Sequence, residues 1–274
     1  MVFGGTDASR DQLLSITAEM RQFESIFLGV DADHGVVTAR IFTAEEELPF
    51  AGHPVIGAAA AVHERIAAHD AERSWVFAIA GRRVEVTSRR RAGYYAAEMN
   101  QGRATVSAPV GRSTAAGFVG ALNLDPGDLH SLPMQVISTG LAYLIVPVTA
   151  GGLTRARVVV DDLEARLAGV GAKFVYVFDP ESREGRTWDN AGAVEDVATG
   201  SAAGPAAAYL FDHRLADPQA ELVLHQGRFV DRASTMSVTA RDDEQLWVGG
   251  PVAAVARGSL DAPPAPGAIA STGR

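Results

Sequence analysis

The pattern of apolar and polar positions predicts a chain built mostly of short strands. Residues 11–20 (DQLLSITAEM) read as a helix, with Asp7 or Ser9 placed to cap it. ESIFLGV and VVTARIFT follow as two strands. Between Trp75 and Met99, three strand-like stretches are broken at Gly81 and Gly93. A short helix is expected near Thr114–Leu122. Residues 134–148 (MQVISTGLAYLIVPV) read as strand, glycine turn, strand, and KFVYVF at 173–178 as another strand. ELVLHQGRFV, STMSVTA and QLWVGG supply the last strands. The tail from Asp261 is rich in Pro, Gly and Ala, and is expected to be disordered.

Two helices stand out from this background. One begins in FAGHPVIGAAAAVHERIAAH, the other in VATGSAAGPAAAYLFDH. Each has a Gly at its start, a small or polar residue beside it, and then an Ala-rich run. One shift lays Glu47 on Glu195, Gly52 on Gly200, and Ala58, Ala59 and Ala60 on Ala206, Ala207 and Ala208. Alanine matches are cheap in this composition, but the shared order of acid, short loop, Gly and helix points to an internal duplication. The expected architecture is α+β with two similar halves, each a sheet around one helix. The boundary lies near residues 120–135, giving domains at 1–125 and 126–260 and a tail at 261–274.

Composition narrows the functional classes. The 274 residues are 47% hydrophobic and 21% charged, enough for a large core. The net charge of −9 with no basic stripe disfavours nucleic acid and anionic membrane surfaces as partners. The densest basic run, Arg89–Arg91, follows an alternating pattern and is expected in a solvated turn. There is no Cys, which excludes disulfides, thiolate metal sites and paired catalytic thiols. No apolar run approaches the ~18 residues of a membrane span. The opening MVFGGTDASRDQ lacks the pattern of a signal peptide, so the cytoplasm is the expected location.

The two helix starts are the first candidates for chemistry. A helix N-terminus has unpaired N–H groups and the positive end of a dipole, and a glycine there lets a ligand come close. If both starts face one cleft, they form a carboxylate site made of backbone donors. The plainer alternative is ordinary capping, with Pro54 in the first turn and Ser201 as a cap. His53, at the first helix start, is either a neutral hydrogen-bond donor or a capping residue. Asp196, just before the second helix, either holds a substrate amine or hydroxyl or completes a capping network. Glu24 lies beside Phe23, Ile26 and Phe27. A carboxylate with apolar neighbours is held nearer its neutral form, which suits a group that takes and returns a proton, although most such residues simply point at water.

Other chemistries fail on spacing. His63, Glu64 and His69 do not place two histidines on one helix face for zinc. GSAAG at 200–204 is not a nucleophile elbow. No phosphate loop and no G-x-G-x-x-G after a strand is present, so no nucleotide cofactor and no metal is expected.

FESIFL, IFTAEEELPFAGHPVIGAAAAV, VEDVATGSAAGPAAAYL and LHQGRFVDRAS together resemble the PhzF family of phenazine-biosynthesis-like proteins, in order and spacing over nearly the whole chain. The resemblance implies two diaminopimelate-epimerase-like domains, each a curved, mostly antiparallel sheet around a central helix, with the active site in the cleft between them. It implies a cofactor-free isomerase and, in the best-understood member, a proton shift on trans-2,3-dihydro-3-hydroxyanthranilate. It assigns catalysis to Glu24, His53 and Asp196, and substrate contacts to Gly52, His53, Asp196, Thr199, Gly200 and Ser201. Relatives in the wider superfamily use two thiols, and His53 and Ser201 stand at those positions here. One base on one face of the substrate is therefore implied. Family members are commonly homodimers.

Three departures qualify the likeness. The chain begins after the strand and G-N-P turn that usually open the family, so either its start is shortened or the first domain lacks an edge strand. In Gln226–Ser234, Asp231 replaces the usual Gly and Ala233 the usual Pro. Arg21-Gln22-Phe23 replaces Asn-Leu before the acidic residue. These changes imply a different substrate, a cyclic or conjugated carboxylic acid of the pyrroline or dihydroaromatic kind. An epimerase, or a binding protein without turnover, is the competing expectation.

Overall fold

The computed structural model describes residues 1–260 apart from Phe23 and Asp242. The tail expected to be disordered, 261–274, lies outside the described residues. The chain divides into two compact units. The first is Met1–Asn100 together with the chain from Gly249 onward, and the second is Gln101–Val248.

The first unit contains β1 (Val2–Phe3), α1 (Arg10–Met20), β2 (Ser25–Asp31), β3 (Val36–Phe42), β4 (Glu47–Leu48), α2 (Gly52–Ile66), β5 (Glu72–Ile79), β6 (Arg82–Arg91) and all but the last two residues of β7 (Tyr94–Gly102). Its strands run in the order β1-β2-β3-β5-β6-β7, with β4 paired to the end of β3. The β1–β2 and β3–β5 pairs are parallel and the others antiparallel. Ser9 caps α1 in a capping box with Gln12, as the sequence offered. Along β2 the side chains alternate. Ile26 and Leu28 join Val55, Ala58, Ala59 and Val62 of α2 in one core, while Phe27 packs with Leu13 and Ile16 of α1.

The second unit contains β8 (Thr105–Val106), α3 (Arg112–Ala121), β9 (Gln135–Ser138), β10 (Ala142–Pro147), α4 (Ala150–Arg155), α5 (Leu163–Gly169), β11 (Phe174–Asp179), β12 (Glu184–Arg186), α6 (Gly200–Asp212), β13 (Leu222–Gln226) and β14 (Ser234–Ala240). A last strand, β15 (Leu246–Val252), pairs with β14 and runs on into the first unit. From β10 the order is β10-β11-β12-β13-β14-β15, with β10–β11 and β12–β13 parallel. This repeats the first unit strand for strand, with α6 in the place of α2. The duplication expected from the sequence is thus written in topology. Helix α6 is apolar on every side, and its alanines let Tyr176, Phe178, Leu224 and Val238 close around it. On the opposite face of the same sheet, α3, α4 and α5 cover Leu144, Val146, Val175 and Val177. Burial on both faces explains why β10 and β11 read as unbroken apolar runs.

Two expectations change. Arg89–Arg91 are not a solvated turn but the end of β6, where Arg89 donates across the sheet to Glu72 and Glu98 at 2.6 and 2.7 Å. Arg90 and Arg91 are exposed and extend the strand in its pairing with Tyr95 and Tyr94. The boundary expected at 125/126 falls inside the second unit, because β8 pairs with β9 and α3 packs against β10 and β11. No described helix is long and apolar enough to cross a membrane.

Candidate active site

In the first unit the chain reaches Glu24 just before β2, and α2 opens at Gly52 behind the extended N-cap residue Ala51. Alanine has no side-chain acceptor, and no side-chain cap bonds the first turn. Pro54 has no N–H, so Gly52 and His53 carry that turn's outward donors. Gly52 is pressed on β7: a Cβ there would stand 2.9 Å from Met99 Cε. His53 Nε2 lies 3.4 Å from Glu24 Oε2. The imidazole is 70% exposed and the carboxylate only 17%. Glu24 is therefore a largely buried carboxylate, and its buried Oε2 is the oxygen that faces the solvent-exposed imidazole. Ile26 and Phe27 are buried but point to opposite faces of β2, and Phe23 lies outside the described residues.

In the second unit the corresponding segment is built around Gln226, buried at the end of β13. Its Nε2 donates to the Asp196 carbonyl at 2.8 Å and to Thr199 Oγ1 at 2.9 Å. Its Oε1 accepts from the Thr199 N–H and from the Tyr176 hydroxyl, each at 3.3 Å. Thr199 Oγ1 in turn donates to Asp196 Oδ2 at 2.6 Å. One amide thus fixes the loop that presents the exposed Asp196 carboxylate. The adjacent Glu195 is turned away, forked by Arg186. Next along, Gly227 has φ +86°, and a Cβ there would meet the Val197 carbonyl at 2.6 Å and the Arg232 carbonyl closer still. Only glycine closes this loop on its neighbour.

Thr199 occupies the N-cap of α6, and its side chain bonds Asp196 rather than the first turn. Ser201, offered by the sequence as a cap, lies inside the helix. Its hydroxyl is 2.7 Å from the Tyr143 hydroxyl. Burial pushes the Tyr143 phenol up to about 12, with the Ser201 bond working against it and the charge of Asp196 adding to it. Gly200 is open where a Cβ would stand, and its carbonyl accepts from Gln101 Nε2 at 2.7 Å.

The structure therefore brings together Glu24, His53 and Gly52 in one unit, and Asp196, Thr199, Gly200 and Ser201 in the other. Residue reading missed Tyr143 and the role of Gln226. Gln226 stands in a recognisable Gln-Gly pair, whereas nothing around Tyr143 in sequence signals its hydroxyl partner.

Comparison with known proteins gives a consistent set. The phenazine biosynthesis-like protein family (PhzC-PhzF) matches residues 1–258. The chain is 30% identical over 262 residues to the uncharacterized isomerase YddE of Escherichia coli K12, covering 89% of this chain and 85% of that one. It is 30% identical over 251 residues to the trans-2,3-dihydro-3-hydroxyanthranilate isomerase of Pseudomonas fluorescens, covering 87% and 82%. A solved structure described as a predicted epimerase of Pseudomonas aeruginosa superposes with a TM-score of 0.85 at 48% identity, over 95% of this chain and 92% of that one.

Proposed function

Since the chain belongs to the PhzC-PhzF family of phenazine biosynthesis-like proteins and is an isomerase, we propose that Glu24 moves a proton between two carbons of a small carboxylic acid without a cofactor. The observation that carries this reading is the Glu24–His53 pair at the start of α2. A carboxylate within reach of an imidazole at a helix start is placed to take a proton from a bound substrate and return it. Glu24 removes a proton from a carbon next to the conjugated system, the double bond shifts, and the same carboxyl returns the proton further along. His53, at 3.4 Å, hydrogen-bonds the carboxyl or the substrate as the proton moves. The Gly52 and His53 N–H groups suit a substrate carboxylate. Asp196 and Ser201 suit an amine or hydroxyl. The relatives named trans-2,3-dihydro-3-hydroxyanthranilate isomerase support a cyclic substrate and a place in secondary-metabolite biosynthesis. The chain has no thiol for a two-base mechanism.

The test is turnover of that compound and of a pyrroline carboxylate in heavy water. Wild type incorporates deuterium at a new carbon. Glu24→Gln loses about 10²-fold or more of that exchange while still binding substrate. Exchange by the Gln variant at the wild-type rate removes Glu24 from the role. A second reading, epimerisation, is favoured by the name of the P. aeruginosa neighbour. It returns deuterium to the original carbon with inverted configuration, and product chirality separates the two.

A further inference from the structure

The two units share a feature that their alanine helices do not reveal. In the first, Arg40 of β3 forks Glu47 through Nε and Nη2 at 2.8 and 2.9 Å. Its remaining nitrogen, Nη1, donates to the Ala8 carbonyl at 2.9 Å. Its guanidinium lies 5.1 Å from the ring centroid of Phe42, two residues on. Phe42 is paired antiparallel with Glu47. In the second unit, Arg186 of β12 forks Glu195 through the same two nitrogens at 2.9 and 2.6 Å. Its Nη1 donates to the Leu153 and Ala156 carbonyls at 2.8 and 2.9 Å. The guanidinium lies 4.8 Å from the ring of Trp188, again two residues on, and Trp188 is bridged antiparallel to Glu195. In both units the glutamate is followed five residues later by the glycine that opens α2 or α6.

Arginine, aromatic partner, glutamate, carbonyl acceptor and helix start thus recur in the same relation, although the second hairpin loop is longer. Among the described residues, other arginine ion pairs differ, including the Arg155–Asp128 fork, whose acid lies in a 3-10 turn. Arg89 ties three strands together through two different glutamates, and Arg228 holds Glu184 from a 3-10 turn, not from a strand of the hairpin that leads into α6. A planar guanidinium bound at both edges has little freedom to shift, which a lysine ammonium cannot reproduce.

We infer that each Arg–Glu fork is a positioning device: it locks the hairpin that delivers a helix start and so fixes where that first turn presents its backbone donors. The catalytic half of this inference rests on the reading that those turns hold substrate. The mechanical half does not, and the test separates them.

The mechanical readout is amide exchange in the full-length protein. The N–H groups of Ile56 and Gly57 close the first turn of α2, and the Thr43 N–H closes its hairpin on the Glu46 carbonyl at 2.9 Å. Glu47→Gln and Arg40→Lys are expected to speed exchange at these three amides about tenfold, with α6 amides unchanged, because the opening is local. Arg40→Lys keeps the charge, so loosening by both variants assigns the effect to the fork. Arg89→Lys, which breaks a fork elsewhere in the same unit, leaves the three amides as in wild type. The inference is overturned if Glu47→Gln or Arg40→Lys exchanges at these amides within about twofold of wild type. It also falls if α6 loosens equally, or if Arg89→Lys has the same effect. The kinetic readout is turnover of trans-2,3-dihydro-3-hydroxyanthranilate. Both fork variants lose about tenfold in kcat/KM, as expected when a donor turn shifts against the substrate. Unchanged kcat/KM beside loosened amides overturns the catalytic half alone. Absence of turnover in wild type refutes the substrate reading and leaves the exchange result to decide the fork.

Discussion

At the scale of single residues, Asp231 shows how a departure from a family pattern can be absorbed. It closes a short 3-10 turn with φ 56° and ψ 26°, in the left-handed region that glycine adopts most freely. Aspartate is among the few side chains that adopt this conformation readily. Asp231→Gly is therefore expected to be near neutral in denaturant unfolding, while the β-branched Asp231→Val costs about 1–2 kcal/mol. Equal loss in both would show that the carboxylate, not the backbone, matters there. Tyr143 is the opposite case, a residue with no sequence signal and a defined partner. Tyr143→Phe removes the partner of the Ser201 hydroxyl and costs about 1 kcal/mol of stability. Its effect on turnover should be smaller than that of Glu24→Gln. A loss as large as the Glu24 variant's would show that the phenol serves turnover and not only packing. Glu24 was legible only through its family motif. The two apolar residues that follow it turn to opposite faces of β2, so flanking sequence said little about its surroundings.

At the scale of elements, most strands were legible because glycine marks their ends. Gly81 and Gly93 stand at φ 79° and 83° between β5, β6 and β7, where the alternating pattern breaks. The short helices α4 and α5 were not anticipated. Their segment is interrupted by Gly, Val and Asp, and they are held in place by the sheet face they cover. The Arg–Glu forks were also invisible, since each joins residues across a hairpin whose loop length differs between the units. The first fork makes a prediction about pH. The Arg40 guanidinium beside Glu47 holds its carboxyl below the ordinary value of 4.5, chiefly by hydrogen bonding. Below that value the unfolded chain takes up the proton first. The stabilisation is therefore complete above pH 4.5 and is lost as pH falls through the lower folded value. Wild type should be more stable than Glu47→Gln at neutral pH, and the two unfolding curves should converge in acid. A difference that persists unchanged to pH 2 would mean that the ion pair is not its source.

At the scale of the whole molecule, the duplication was legible as an order of motifs, but the exact division of the chain was not. The sequence shows two helices in similar settings. It does not show that the first unit is discontinuous, because its closing segment, from Gly249 onward, arrives after the whole of the second unit. Strand β15 is where this happens: Leu246–Val248 belong to one unit and Gly249–Val252 to the other. Gly249 has no room for a side chain. A Cβ there would stand 2.7 Å from Glu98 Cα and 2.8 Å from Glu98 Cβ, and closer still to the Ala97 carbonyl. The close approach is to the backbone of β7, which cannot yield as a flexible side chain would. Gly249→Ala therefore has to push β15 off β7 or distort both. The damage should appear first in the first unit, far away in sequence. Exchange of β6 and β7 amides should rise, while amides of α6 stay protected. Apparent stability should fall by about 1–3 kcal/mol, the usual range for overpacking a tight contact. Val248→Ala, one residue earlier and in the core of the second unit, should show the reverse pattern, with α6 loosened and β7 spared. If both substitutions loosen the two units together, the chain unfolds as one cooperative block and the division drawn at Gly249 has no energetic meaning.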